Sequence, residues 1–377
     1  MSPSTFLATT WLPRDLHPIA WWAWALGLAT AASLTTNPWV LLMVIGVAAL
    51  VVAARRGDHP WSRSFRLYLW LGAAIVVIRL VFRVLFGSGD EGTVLLDLPE
   101  IPLPGWALGV HLLGPVTLEA MLFALYDGLR LAAIVICVGA ANSLANPKRL
   151  LRSMPAAFYE IGTALVVAVS VLPQLADSLR RVRAAQRLRG GDTRRVGRLR
   201  RLVVPVLEDA LERSLALAAG MDARGYGRAT GLTRGRRRVT GALMLAGLCG
   251  LCVGTYAVLD RTAPRVLATP MLMLGVAAAL AGLVGAGRHV TRSHYRPDPW
   301  RLPEWLVLAA GTLTAVLGVF VSRHALLAAY PPLDAWPVLV PVQLLAMAVA
   351  LAGGLAAPPP VRAALPEALP TRVEVAA

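Results

Sequence analysis

A chain of 377 residues with a net charge of +16, 57% apolar residues and only 15% charged ones has a mean hydropathy of +0.62. Soluble domains carry about 25% charged residues, so an ordinary soluble domain is excluded. Several apolar runs reach the about 20 residues a helix needs to cross a bilayer. The fold class that follows is all-α, a polytopic helical membrane protein, because a backbone in lipid must satisfy its own hydrogen bonds. The basic balance is read as Lys and Arg gathered in cytoplasmic loops, not as nucleic-acid binding, since the charge lies between the apolar runs.

In chain order, residues 1–17 form a short polar lead. No signal peptide is expected: Arg14 and Asp15 precede the first run, and no small-residue cleavage site follows it. The first span is predicted over Ile19 to Leu34, then a turn at Thr35-Thr36-Asn37-Pro38. The second span covers Trp39 to Ala54, with Arg55, Arg56, Arg63 and Arg66 behind it. The third covers Leu67 to Phe86. Residues 88–114 carry Asp90, Glu91, Asp97 and Glu100 and no Lys or Arg. The fourth span, Val116 to Leu144, is followed by Lys148, Arg149 and Arg152. With the N-terminus cytoplasmic, both basic loops fall inside and the acidic loop outside, as the positive-inside rule requires.

The next apolar run, Ala156 to Val171, breaks that order if it crosses, because the block behind it, Asp177 to Arg238, holds 17 Arg, no Lys and 6 acidic residues, a net +11. It is therefore expected to stay on the cytoplasmic side as an amphipathic or re-entrant helix. Further spans are predicted over Val239 to Leu259, Val266 to Ala286, Trp305 to Val321 and Val338 to Ala356. The organisation expected is four N-terminal spans in 1–155, a basic cytoplasmic region in 156–238, a fifth span in 239–259, three further spans in 260–357 and a disordered tail in 358–377. That makes eight spans with both termini inside.

Charges within the spans are costly and carry function or pair off. Arg79 and Arg83 lie in the third span, and Glu119, Asp127 and Arg130 in the fourth. Arg130 is expected to pair with Asp127 at helical spacing or with an acid on a neighbouring helix. Cys137, Cys249 and Cys252 lie inside apolar runs. Cys249 and Cys252 have C-x-x-C spacing, but no second pair or His cluster completes a metal site, so all three are read as buried thiols. The string Tyr295-Arg296-Pro297-Asp298-Pro299-Trp300-Arg301 is read as an interfacial anchor.

Inside the basic block, Leu207, Ala210, Leu211, Ser214, Leu217, Ala218 and Met221 fall on one helical arc, with Glu208, Asp209, Glu212 and Arg213 opposite. This amphipathic helix is expected to start near Pro205 and stop at Gly225. Leu175 to Arg189 reads as a second helix ending at Gly190-Gly191. Two helices thus end in Arg-Gly. Arg189 and Arg224 either complement the negative helix C-termini or present planar guanidinium forks to carboxylates of a partner.

Two strings carry a family resemblance. Gly220-Met221-Asp222-Ala223-Arg224-Gly225-Tyr226 resembles the A-M-E-A-R-G-Y motif of the transmembrane T components of energy-coupling factor (ECF) transporters, the EcfT/CbiQ family. Ala185-Gln186-Arg187-Leu188-Arg189-Gly190 is similar to that family's A-Q-x-A-R-G motif, with Leu188 in place of Ala. Asn37-Pro38, Thr117-Leu118-Glu119, Gly128-Leu129-Arg130, Leu172-Pro173 and Val204-Pro205 also resemble family positions, and the likeness covers about residues 20–260. The resemblance implies amphipathic cytoplasmic coupling helices that dock on two ABC-type ATPase subunits through Arg189, Gly190, Arg224 and Gly225, with Gln186, Met221 and Ala223 in the same motifs. It implies a small membrane S component that binds a vitamin or metal ion, and a flat first coupling helix at Ala156 to Val171. The chain itself would be a non-catalytic subunit in the cell membrane, without cofactor or metal. ATP would be bound by the partners, in keeping with the lack of a P-loop pattern here. The competing reading is a polytopic membrane enzyme or assembly factor with a basic cytoplasmic loop, but no H-E-x-x-H, paired-Asp or Ser/Lys arrangement supports it. An ordinary ABC permease would have one short coupling helix, not two Arg-Gly ends.

Overall fold

The structure, a computed structural model, describes residues 13–57, 64–86, 92–99, 101–102, 111–153, 159–188, 195–225, 234–260, 264–287 and 298–360. The chain divides into two compact units, one of Met1–Leu150 with Asp298–Ala377 and the other of Leu151–Pro297.

The first unit begins with α1 (Pro18–Ser33) and α2 (Pro38–Arg55). Each has Pro in its first turn, where the missing N–H costs nothing. Asn37 caps α2: its Oδ1 accepts from Trp39 N at 3.1 Å. Its Nδ2 donates to Ala328 O at 3.0 Å and Val338 O at 2.9 Å. The turn read from Asn-Pro is thus also a buried tie to the far end of the chain. Next come α3 (Phe65–Phe86), α4 (Leu118–Leu144) and α5 (Pro147–Arg152). Between α3 and α4, β1 (Val94–Asp97) pairs antiparallel with β4 (Pro115–Thr117), and β2 (Ile101–Pro102) with β3 (His111–Leu112). Sequence gave no sign of these short ladders in the acidic stretch. The unit closes with α10 (Leu302–His324), α11 (Leu326–Ala329) and α12 (Pro341–Ala356).

Without a hydrophobic drive between helices in lipid, close packing depends on small residues. A Cβ on Gly27 of α1 would lie 2.0 Å from Gly311 O of α10, and one on Gly311 would lie 2.5 Å from Trp24 Cα. On α12, a Cβ on Gly353 would meet Ala310 Cβ at 2.1 Å, and one on Gly354 would meet Val51 Cγ2 at 2.5 Å. Trp24, Leu28, Leu41, Val44, Val51 and Val307 fill the core. Trp24 Nε1 donates to Ala350 O at 2.9 Å, so the buried indole keeps its partner. On the other side of α4, α3 packs with Gly72 under Ile136 and Gly139 under the Tyr68 ring.

One end of this unit is a polar knot. Both Nη atoms of Arg14 donate to Glu304, at 2.6 and 2.9 Å, and the Glu304 side chain is wholly buried. Arg149 pairs with Asp298 and donates to Asp15 O at 3.0 Å. The Trp300 ring packs tilted against His17 with centroids 5.2 Å apart. Thus Asp298 and Trp300 of the proposed interfacial anchor serve to lock chain segments together. Arg14 N also donates to Pro359 O at 3.1 Å. Residues 358–360 of the expected disordered tail are therefore packed, and residues 361–377 lie outside the described residues.

The second unit holds α6 (Tyr159–Leu188), α7 (Arg195–Ala223), α8 (Arg234–Leu259) and α9 (Arg265–Gly287). α8 and α9 pair antiparallel through glycines: a Cβ on Gly247 would meet Ala279 N at 2.5 Å, and one on Gly250 would meet Gly275 Cα at 2.8 Å. The glycine face turns Cys249 and Cys252 away, so both are exposed rather than buried; Cys137 alone keeps the expected burial. Among the described residues, seven helices are long and apolar enough to cross a membrane: α2, α3, α4, α6, α8, α9 and α10, with α12 apolar but shorter. The expected class, an all-α polytopic membrane protein, is what the chain forms.

Two boundaries differ from expectation. In place of the expected flat helix and second helix, Tyr159 to Leu188 is one continuous helix with Pro173 inside it. By length and composition, its Ile161–Leu188 portion qualifies as a span. Likewise α7 starts at Arg195, ten residues before Pro205, which sits in its interior. An interior proline removes one helical hydrogen bond but need not end the helix.

Candidate functional site

The basic helices α6 and α7 form an antiparallel hairpin. Near one end Gln186 Nε2 donates to Arg201 O at 2.6 Å. Further along, Asp209 of α7 gathers the contacts. Arg181 of α6 reaches its Oδ2 at 3.5 Å, and Arg213, one turn on, reaches its Oδ1 at 3.0 Å. The buried Ser178 also hydrogen-bonds Asp209. That bond first, and then the Arg213 and Arg181 guanidinium groups, hold the Asp209 carboxyl below its ordinary value against the opposing effect of burial. Asp209 and Arg213 were read only as part of a polar face, yet with Ser178 and Arg181 they clasp the hairpin. The i, i+4 spacing of Asp209 and Arg213 was the available signal.

The stop at Gly225 is as expected. α7 ends at Ala223, Arg224 N donates to Met221 O at 3.1 Å, and Gly225 N donates to Asp222 O at 2.9 Å. Gly225 has φ 75°, the left-handed conformation that ends helices and that glycine adopts without a Cβ penalty. Arg224 is exposed, and among the described residues its guanidinium makes no ion pair or hydrogen bond. Met221 is half-buried on the last turn and Ala223 is exposed. Arg189 and Gly190 lie outside the described residues, directly after Leu188 ends α6.

Because the hairpin is antiparallel, the structure does not bring Leu188, where α6 ends, near Arg224. Leu188 lies at the end where Gln186 meets Arg201, and Arg224 lies 23 residues further along α7, about 35 Å at 1.5 Å per residue. Between them, much of the apolar arc of α7 is uncovered among the described residues, with Leu207, Leu211 and Leu215 60%, 61% and 63% exposed. Among the described residues, no group of three or more His, Cys, Asp and Glu is placed to hold a metal ion.

Comparison with known proteins gives one consistent answer. The family model described as CbiQ, cobalt transport protein, matches residues 10–234, more than half of the chain and including both helices of the hairpin. Three relatives are each described as energy-coupling factor transporter transmembrane protein EcfT. That of Leuconostoc gelidum is 25% identical over 194 residues, 44% of this chain and 71% of the relative. That of Streptococcus thermophilus is 27% identical over 175 residues, 43% of this chain and 62% of the relative. That of Listeria innocua is 29% identical over 210 residues, 53% of this chain and 75% of the relative. With its apolar helices and its Arg-Gly helix end, this multi-pass membrane chain belongs to the CbiQ/EcfT family and is a membrane component of an ECF transporter.

Proposed function

We propose that the chain couples two ABC-type ATPase subunits to a small membrane S component, so that ATP-driven motion of the ATPases powers uptake of a vitamin or metal ion. In this reading the chain is non-catalytic and binds no cofactor; ATP stays with the partners. Arg189 and Arg224 enter acidic grooves, one on each ATPase, where the planar guanidinium binds a carboxylate in two places. Gly190 and Gly225 end the helices so that each arginine stands at a tip, Ala223 and Met221 shape the second tip, and Gln186 holds the first tip to α7. The observation that carries the reading is the hairpin itself: Leu188, where α6 ends, and Arg224 stand about 35 Å apart along it, a spacing suited to two partner subunits, and among the described residues the Arg224 guanidinium is unengaged.

The orientation that goes with this reading places both termini, the loop at 55–66 and the hairpin in the cytoplasm. The +11 block supports keeping α6 on that side, although its first half is apolar. The uncovered leucines of α7 would face the S component. Exchange of Arg189→Glu together with Arg224→Glu should leave the chain inserted and abolish recovery of the ATPases when it is purified in mild detergent. Undiminished ATPase recovery with the double variant refutes the docking role.

A further inference from the structure

Arg130 stands 12 residues from the start of α4 and 14 from its end, about 18 and 21 Å along the axis. That is too deep for its side chain to reach either interface with ease, and a charge at this depth is kept for a partner. The acid expected to pair with it is engaged elsewhere: Asp127 accepts from Arg79 of α3 at 2.8 Å. Among the described residues, Arg130 makes no ion pair or hydrogen bond. With Asp127 taken by Arg79, Arg130 adds an unmatched positive charge to the α3–α4 face inside the bilayer.

Among the described residues this face is open. Phe123, Asp127 and Arg130 recur at helical spacing on α4, and Phe123 is 57% exposed. Beside them, α3 is covered by α4 on one side and presents Ile78 and Phe82 outward. We propose that the α3–α4 face receives a transmembrane helix of another membrane subunit, one that carries a carboxylate near mid-depth to pair with Arg130. A second copy of this chain does not fit, because a two-fold contact there sets the same basic cluster against itself. A lipid phosphate does not fit either, since headgroups stay at the interface. The guanidinium instead meets an apolar helix whose acid, unpaired, would be as costly in lipid as Arg130 itself.

The inference rests on the reading that the chain works with a small membrane subunit, and the experiment separates the two. The full complex is purified in mild detergent from cells carrying wild-type chain, Arg130→Gln or Arg130→Lys, and the ATPases and any accompanying membrane protein are quantified. Arg130→Gln should lower recovery of the membrane subunit about tenfold or more while the ATPases stay, and Arg130→Lys should restore most of it. Arg130→Glu should regain the subunit when its mid-depth carboxylate is changed to Lys. Equal recovery with wild-type and Arg130→Gln chains overturns the pairing and leaves the coupling reading intact. Loss of the ATPases along with the membrane subunit marks Arg130 as a folding residue and overturns it too. Absence of any membrane subunit with the wild-type chain takes down both.

Discussion

The helix pair α1–α10 and the helix pair α6–α7 spend their surfaces in opposite ways. The first brings glycine against glycine, buries Trp24 and Leu28 completely and encloses a carboxylate, Glu304, against Arg14. The second is clasped by a few polar contacts around Asp209 and leaves a row of leucines uncovered. In lipid, close van der Waals packing between helices is what stabilises a fold. The α1–α10 pair therefore carries stability for its unit, whereas α6–α7 leaves apolar surface and the Arg224 cation open among the described residues.

The strongest way to break this contrast is to remove Glu304. Glu304→Ala leaves the Arg14 guanidinium without its carboxylate in a buried site, which should cost about 3–5 kcal/mol and lower the midpoint of thermal unfolding in detergent. The paired change to Met at both positions should recover much of it, and an unaltered midpoint in the single variant would show that the knot contributes nothing. Next is Gly27→Ala. The new Cβ, 2.0 Å from a backbone oxygen, forces α1 and α10 apart, at about 1–3 kcal/mol by the same measurement.

The same substitution sharpens the contrast on α7. A Cβ on Gly220 meets nothing within 4 Å, so Gly220→Ala should stabilise the helix by about 0.5–1 kcal/mol, seen as slower amide hydrogen exchange around it. The smallest effect is one of pH. Burial, foremost, holds the His17 imidazole below its ordinary value of 6.5, with Arg149 acting the same way and Asp298 and Glu304 opposing it. The neutral ring accepts Ile19 N–H at Nδ1. The unfolded chain takes up the proton first, so the stabilisation is complete above the ordinary value and is lost as pH falls from there through the folded one. Acidification from about pH 7 to about pH 5.5 should lower the unfolding midpoint slightly, and His17→Asn should flatten that dependence.

The apolar helices were legible because a run of bilayer length is a strong one-dimensional signal, and Asn37-Pro38 and Gly225 were legible because caps are local chemistry. What escaped was decided by neighbours. Pro173 and Pro205 read as boundaries, yet each is a helix-interior residue. Asp127 lay at pairing distance along the sequence from Arg130, but Arg79 reached it from the adjacent helix. The burial expected for Cys249 and Cys252 failed because the glycines of α8 claim the face that meets α9. Of the candidate site, the Arg-Gly ends were visible in sequence. The placement of Leu188 and Arg224 at opposite ends of the hairpin follows from antiparallel contacts such as Gln186 with Arg201, which no periodicity encodes.

That placement has a mechanical consequence. Two long helices clasped side by side are stiffer than either alone, and a stiff bar held at its two tips behaves as a seesaw. When partners holding the tips move in unison, the bar translates and its broad side passes on little. When they move by different amounts, the bar tilts, and the leucines between the tips sweep through an arc. Under the proposed docking, what the membrane partner senses is the difference between the positions of the two ATPases, and a hinge inserted near Asp209 would disconnect them without loosening either grip.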